Sequence, residues 1–362
     1  MSGTSLDGVD AILVSFEDNL PPTLTNTYSH PIPKQLRAKI LKIINPNWKG
    51  SLSEVGELHQ ELGHLFANAV NQLIKASSSN PEQIIAIGSH GQTVWHQPSG
   101  NYPFSLQLGD ANQITEITGI TTVADFRSRD IAAGGQGAPL VPAFHHQTLT
   151  HPTRNRVILN IGGIANISVL PSSENQSDIM GFDTGPGNGL MDAWISRHKN
   201  INYDKNGNWA GSGTVLENVL NQLLDDPYFK LVAPKSTGKE AFNLSWFEQK
   251  LGSELEKHNP EDIQATLLEL SSKTIADNIN DDCEELFVCG GGVHNQHLMK
   301  RLQEMLPAIK VASTAMLGID PDWVEATAFA WLAKQTIEGK SGNLPITTGA
   351  KDFRILGAIY PK

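Results

Sequence analysis

Two cysteines, Cys283 and Cys289, are all that the 362 residues hold, too few for a disulfide framework. Cys289 falls within an apolar run, where a buried, reduced thiol is expected. Positive charge is also scarce: 27 Lys and Arg face 38 Asp and Glu, a formal net charge of -11. That balance excludes general nucleic-acid binding, which requires a basic face. An anionic ligand must then be held by local donors: backbone N–H groups, a few arginines and a divalent cation. Long hydrophobic runs are missing too, since nothing approaches the ~18 apolar residues of a membrane span. The first twenty residues carry Asp7, Asp10, Glu17 and Asp18, so no secretory signal is expected. The expectation is a cytoplasmic protein without membrane or nucleic-acid partners.

What is present is the alternation of an α/β protein, at a length that favours two domains. Val9 to Phe16 reads as a strand. Ser51-Leu52-Ser53-Glu54 has the form of a capping box, and Val55, Leu58, Leu62, Leu65, Phe66, Ala69, Val70, Leu73 and Ile74 follow helical spacing behind it. Asn80-Pro81 ends that helix, and Ile84 to Gly88 reads as a short buried strand. A second unit restarts at Arg156 to Leu170 with the same theme of strand, glycine turn and strand. Gln264 to Ile279 reads as a helix and Leu286 to Cys289 as a strand. Asp320-Pro321 is placed to cap a helix running through Trp331. No Pro/Ser-rich linker separates the halves; the glycine cluster within Asp130 to Pro142 is the expected hinge.

Four glycine-rich turns carry the chemical signal. Gly181-Phe182-Asp183-Thr184-Gly185-Pro186-Gly187-Asn188 sets one carboxylate among glycines, where it can accept a proton from a bound hydroxyl or water. Gly3-Thr4-Ser5-Leu6-Asp7-Gly8 combines hydroxyls and N–H donors suited to a phosphate, with Asp7 or Asp10 facing a hydrated Mg2+; an ordinary hairpin turn is the equal alternative. Asn160-Ile161-Gly162-Gly163 repeats that geometry in the second half. Gly290-Gly291-Gly292 follows a strand and permits a flat ligand against the backbone, although a strand-to-helix turn also uses glycine. Lys235-Ser236-Thr237-Gly238-Lys239 is not a P-loop, because Glu240 follows Lys239. His90 and His96 lack metal-ligand spacing and suit a polar pocket wall, and His145-His146 suit structural roles. Arg127 and Arg129 supply cations near the expected hinge. Glu325 is by default an acid that compensates a helix dipole. No nucleophile elbow appears, which favours a mechanism without a covalent enzyme intermediate.

Together these residues resemble the anhydro-N-acetylmuramic acid kinases, nearly end to end. The resemblance rests on Met1 to Asp10, Gly88 to His96, Asp125-Phe126-Arg127 with Arg129-Asp130, Gly134 to His145, Leu159 to Asn166, Gly181 to Asn188, Pro234 to Gly238, Cys289 to Gly292, Glu325 and Ala328 to Leu332. It implies two ribonuclease-H-like α/β domains around an ATP cleft, as in the sugar kinase, heat-shock ATPase and actin group. The first would comprise residues 1–130 plus about 335–362, and the second residues 131–334. It implies ATP- and Mg2+-dependent opening of 1,6-anhydro-N-acetylmuramic acid with phosphorylation at O6, a step of cell-wall recycling, by a homodimer. Asp183 would be the base. Gly3, Thr4, Ser5, Leu6, Asp7, Gly8, Val9 and Asp10 would face the ATP phosphates, Gly162 and Gly163 their other side, and Gly290, Gly291 and Gly292 the adenosine. Arg129 and Glu325 would hold the sugar, with His90 and Gln92 beside them. Ser128 stands where relatives carry arginine. The resemblance also implies a short apolar strand ahead of the first glycine turn, and without one a sheet with unpaired backbone is expected at that place. The alternatives are another sugar or carboxylate phosphotransferase of the same fold, or a nucleotide-dependent scaffold.

Overall fold

The computed structural model describes residues 1–3, 6, 8–17, 20–175 and 178–362. The sequence readings that fall on Thr4, Ser5 and Asp7 therefore lie outside the described residues. In chain order the strands are β1 (Gly8–Ser15), β2 (Thr23–Pro31), β3 (Ile87–Gly88), β4 (Gln92–Gln97), β5 (Phe104–Leu108) and β6 (Thr122–Ala124). They continue with β7 (Arg156–Ile161), β8 (Ile164–Leu170), β9 (Met180–Pro186), β10 (Glu285–Cys289), β11 (Lys310–Ser313) and β12 (Ala358–Tyr360). The chain divides into two compact units, Met1–Thr148 with Trp323–Lys362, and Leu149–Asp322.

Unit 2 is organised by one sheet of order β11-β10-β7-β8-β9. β7 pairs antiparallel with β8, and β8 with β9, whereas β10 runs parallel to both β7 and β11. The central strands are apolar on both faces: Val157, Ile158, Leu159, Leu286, Phe287 and Val288 are all buried. Helices on the faces require this, and Pro260–Ala276 is one of them, with Ile263, Leu267, Leu268 and Leu270 in the same core. Each such fully buried side chain contributes about 1.5–3 kcal/mol. Unit 2 is thus an α/β unit with helices on a mixed sheet, the class expected of it.

Unit 1 has the same materials in separate pieces: β1 with β2, β4 with β5, and β12-β6-β3. The long helix Leu52–Ser77 begins at the expected capping box, with Ser51 Oγ accepting from Glu54 N–H and Glu54 Oε2 accepting from Ser51 N–H. Its face of Leu58, Leu62, Leu65, Phe66, Ala69 and Leu73 is buried beneath β1 and β2. The strand expected over Ile84 to Gly88 pairs only at Ile87–Gly88, and Ile85 stays 80% exposed. The reason is its free edge. Among the described residues β3 pairs with β6 alone and β1 with β2 alone, apart from Met1, which exchanges N–H···O bonds with Asp10. Between these edges lies an apolar cavity of about 590 Å³, bordered by Val9, Leu13, Phe66, Leu73, Ile87 and Ala330.

Two expectations shift. Residues 130–142 form no hinge: Asp130 is fully buried and accepts from Gly137 N–H (2.8 Å), Asn343 Nδ2 (2.7 Å) and Thr348 Oγ1 (2.8 Å), all in unit 1. The units meet in sequence at Thr148/Leu149 and Asp322/Trp323, later and earlier than 130/131 and 334/335: Phe329 packs on Phe126 (5.6 Å between rings) and Gln136 N–H donates to Thr348 O (2.8 Å). Asp320-Pro321 also does not cap the last long helix. Asp320 Oδ1 takes Asp322 N–H in a turn, Pro321 O takes Gly290 N–H, and the helix runs over Val324–Ile337. Asp130→Ala would strip the buried Gly137 amide of its acceptor and leave Asn343 and Thr348 with only their longer bonds to Asp352 O and Leu344 O; chemical denaturation should register a loss of about 2 kcal/mol or more.

Candidate active site

The glycine turns of unit 2 converge at one end of its strands, beyond Ile161, Pro186 and Cys289. The β7–β8 turn at Gly162-Gly163 is held by three successive amides: Gly187 N–H and Gly189 N–H donate to Gly163 O (3.0 and 3.1 Å), and Asn188 N–H to Gly162 O (2.7 Å). A side chain would break this contact, since a Cβ on Gly187 would lie 2.3 Å from Gly162 O. The helix Gly189–Lys199 starts at the same place, so its N-terminus adds a favourable field for an anion beside the turn. Gly290 closes this end from β10, with φ +77° and its N–H on Pro321 O.

The three glycines at 290–292 differ in purpose. A Cβ on Gly290 would meet Asn160 Oδ1 at 2.3 Å, and one on Gly292 would meet Ile161 at 2.4 Å. Those two are required by packing of the turn against the end of β7. Gly291 meets nothing nearer than Asn188 Nδ2 at 3.8 Å, so its glycine character has no packing cause. This open backbone, with Gly162, fits a flat or anionic ligand such as a nucleotide.

Asp183 stands on β9 where the ladder with β8 is irregular: Ala165 faces Gly185 but Asn166 faces Asp183, which leaves Thr184 as an extra residue. Such a bulge re-aims the neighbouring side chain. Asp183 N–H leaves the ladder and donates to Lys235 O (3.0 Å), and Asp183 O accepts from Tyr228 Oη (2.7 Å). Its Oδ2 accepts from both Ser236 Oγ and Thr237 N–H, each at 2.9 Å. Burial pushes the carboxyl above its usual range; the two donors oppose that, and Glu240 adds to it. Lys239 extends across Gly163, with its Nζ 3.3 Å from where a Cβ would lie. The segment over Lys235 to Lys239, set aside as a P-loop, thus belongs to the site by another route. Sequence reasoning missed Ser236, Thr237 and Tyr228 as neighbours of Asp183; the polar run behind Pro234 was the available signal.

Unit 1 gathers a second polar cluster. His90 is buried against Phe329 (4.5 Å between rings), donates from Nδ1 to Gly91 O (2.8 Å) and accepts at Nε2 from Arg127 Nη2 (2.8 Å). Burial and the guanidinium hold it neutral by forcing its pKa well down. Arg127 also donates to Gly137 O (2.7 Å), and burial lowers its own pKa to about 10. Glu325 has an accessible side chain in a densely packed surrounding: burial raises its pKa and Arg127 opposes the shift. Gln92 is buried, accepting from Ser2 Oγ (2.7 Å) and donating to Thr93 O (3.2 Å). Arg129, expected to hold the sugar, is exposed on the short helix Ser128–Ala132 and forms no ion pair among the described residues. Arg127, two residues earlier, is the arginine that bonds His90 and whose charge acts on Glu325. Asp10 is the described candidate for a hydrated metal and accepts from Ser29 Oγ (3.1 Å). Among the described residues no group of three metal-ligating side chains forms.

Compared with known proteins, the chain matches the family model of anhydro-N-acetylmuramic acid kinase over residues 1–362. The chain belongs to that family. The anhydro-N-acetylmuramic acid kinase of Shewanella pealeana is 51% identical over 363 residues, covering 100% of this chain and 97% of that protein. Its counterpart from Coxiella burnetii (strain RSA 493 / Nine Mile phase I) is 50% identical, covering 99% and 96%. That from Pasteurella multocida is 51% identical over 370 residues, covering 100% and 96%. No helix among the described residues is long and apolar enough to cross a membrane.

The glycine turns support a direct test. Gly292→Ala should lower the melting temperature, whereas Gly291→Ala should leave it unchanged yet weaken ATP binding by calorimetry. Equal, undiminished ATP affinity in both would detach this turn from the nucleotide.

Proposed function

We propose that this family member opens the anhydro ring of 1,6-anhydro-N-acetylmuramic acid with water while transferring the γ-phosphoryl group of ATP to O6, and that Asp183 is the base. The observation that carries the reading is the state of the Asp183 carboxyl: one oxygen takes two donors and the other, Oδ1, has none among the described residues. Such a group can accept one proton at a fixed position. Water would add to C1, its proton passing to Asp183 Oδ1; the C1–O6 bond would break and O6 would take the phosphoryl group, leaving ADP. A base opposite the departing oxygen is the arrangement of an inverting glycosidase. The departing oxygen goes to phosphorus and needs no separate acid, so one carboxylate suffices.

Phosphoryl transfer asks the protein mainly for positioning and charge neutralisation. The Gly162-Gly163 turn and the N-terminus of Gly189–Lys199 would receive phosphate oxygens, and Gly290 to Gly292 the nucleoside. Mg2+, when bound, neutralises phosphate charge; Asp10 would contact it through water. Glu325 and Arg127 would orient the sugar, with His90 and Gln92 buried behind them as support. Mg2+ use, homodimeric assembly and a cytoplasmic location belong to the same reading; the dimer rests on the resemblance, Mg2+ on it and on the acidic first turn, and the location on the cysteine content and the charged first twenty residues.

Turnover in oxygen-18 water with ATP and the anhydro sugar, read by mass spectrometry, should place the label at C1 of a 6-phosphorylated product. Asp183→Asn should lower kcat by about 1,000-fold. Because the carboxyl is pushed up by burial, and only its ionised form accepts a proton, kcat should fall on the acid side above the ordinary aspartate range. A product lacking label would return the choice to a plain phosphotransferase.

A further inference from the structure

Every polar atom of Asp183 except Oδ1 is held by the stretch Tyr228 to Thr237: the amide by Lys235 O, the carbonyl by Tyr228 Oη, and Oδ2 by Ser236 Oγ and Thr237 N–H. This is more restraint than a strand position needs. The donors come from a segment more than fifty residues along the chain, and both target the same oxygen. We infer that Ser236 and the Thr237 amide are a positioning clamp, which fixes the Asp183 carboxylate through Oδ2 so that proton transfer takes place at Oδ1 alone. The inference rests on Asp183 being the base.

The chemistry of the clamp has a definite sign. An O–H or N–H donated to a carboxylate stabilises its charged form, so the clamp works against the crowding around Asp183 and keeps the base ionised. The ionisable neighbours are Tyr228, whose hydroxyl is held protonated by burial and by Asp183, Glu240, whose charge repels that of Asp183, and Lys235. Lys235 directs its ammonium to the Tyr228 ring (5.1 Å), not to the carboxylate. Among these groups no cation pairs with Asp183, which leaves the two neutral donors as its stabilising partners. A fixed carboxylate plane also defines where the attacking water sits, since a displacement of about 1 Å can cost two orders of magnitude in rate. Ser236 touches neither sugar nor nucleotide in this account, and it acts only through Asp183.

Ser236→Ala and Ser236→Thr test the clamp in the full chain. Ser236 is exposed, so neither change disturbs a core. Ser236→Ala should lower kcat about tenfold or more, the effect of losing one hydrogen bond to a charged group. KM for sugar and for ATP should stay unchanged, and the acid limb of the kcat profile should move to higher pH. Ser236→Thr, which keeps the hydroxyl, should restore both. Carbon-13 titration of the aspartate carboxyls, with Asp183 assigned through Asp183→Asn, reads the clamp without turnover; Ser236→Ala should move that titration upward. An unshifted titration with wild-type kcat would overturn the clamp. An upward shift in a protein that never opens the anhydro ring would retain the clamp and overturn the proposed reaction instead.

Discussion

Three consecutive amides on one glycine turn hold one end of the unit 2 strands together. Gly187, Asn188 and Gly189 all donate into Gly162-Gly163, so the end of β9, the start of Gly189–Lys199 and the β7–β8 turn cannot move separately. The bulge at Thr184 lies immediately before this contact and Gly290 immediately beside it. The direction of Asp183, the field of the helix and the open backbone at Gly291 are thus consequences of a single close approach that tolerates no Cβ at Gly187. Ser271 Oγ reinforces it from the helix Pro260–Ala276 by donating to Gly187 O (2.9 Å).

Much of this was legible in the sequence because it depends on local rules. The capping box at Ser51, the apolar strands β7 and β10, and the carboxylate among glycines at 181–188 are patterns of adjacent residues. What was hidden depends on distant neighbours. Two glycines at 290–292 answer to Asn160 and Ile161, which lie beside them only because β10 pairs with β7. Ser236 and Thr237 reach Asp183 across a long connection whose path no periodicity records. Arg127 and Arg129 differ in helical phase, which composition does not record: the short helix at Ser128–Ala132 carries Arg129 outward, while Arg127 precedes it and turns to His90. Asp320-Pro321 has the composition of a helix start, yet its backbone is taken by Gly290 and its carboxylate by a tight turn.

The polar cluster of unit 1 depends on neutral histidine. With Nδ1–H committed to Gly91 O, His90 presents only a lone pair at Nε2, and Arg127 fills it. A protonated ring there would place two cations in contact. Arg127 Nη1 goes to Gly137 O, in the loop that Asp130, three residues on, fixes, and the Arg127 charge still favours ionised Glu325. Buried and exposed polar side chains share this short stretch of chain, and its composition alone gives no division between them.

The cavity beside β1 gives unit 1 a mechanical character that unit 2 lacks. In unit 2 a tensile load across the sheet passes through continuous ladders from β11 to β9. Among the described residues of unit 1 it must leave the backbone between β1 and β3 and cross through side chains of the helices Leu52–Ser77 and Val324–Ile337. The pieces β1-β2 and β12-β6-β3 are thus joined through packed side chains, where β7 is joined to its neighbours through backbone hydrogen bonds.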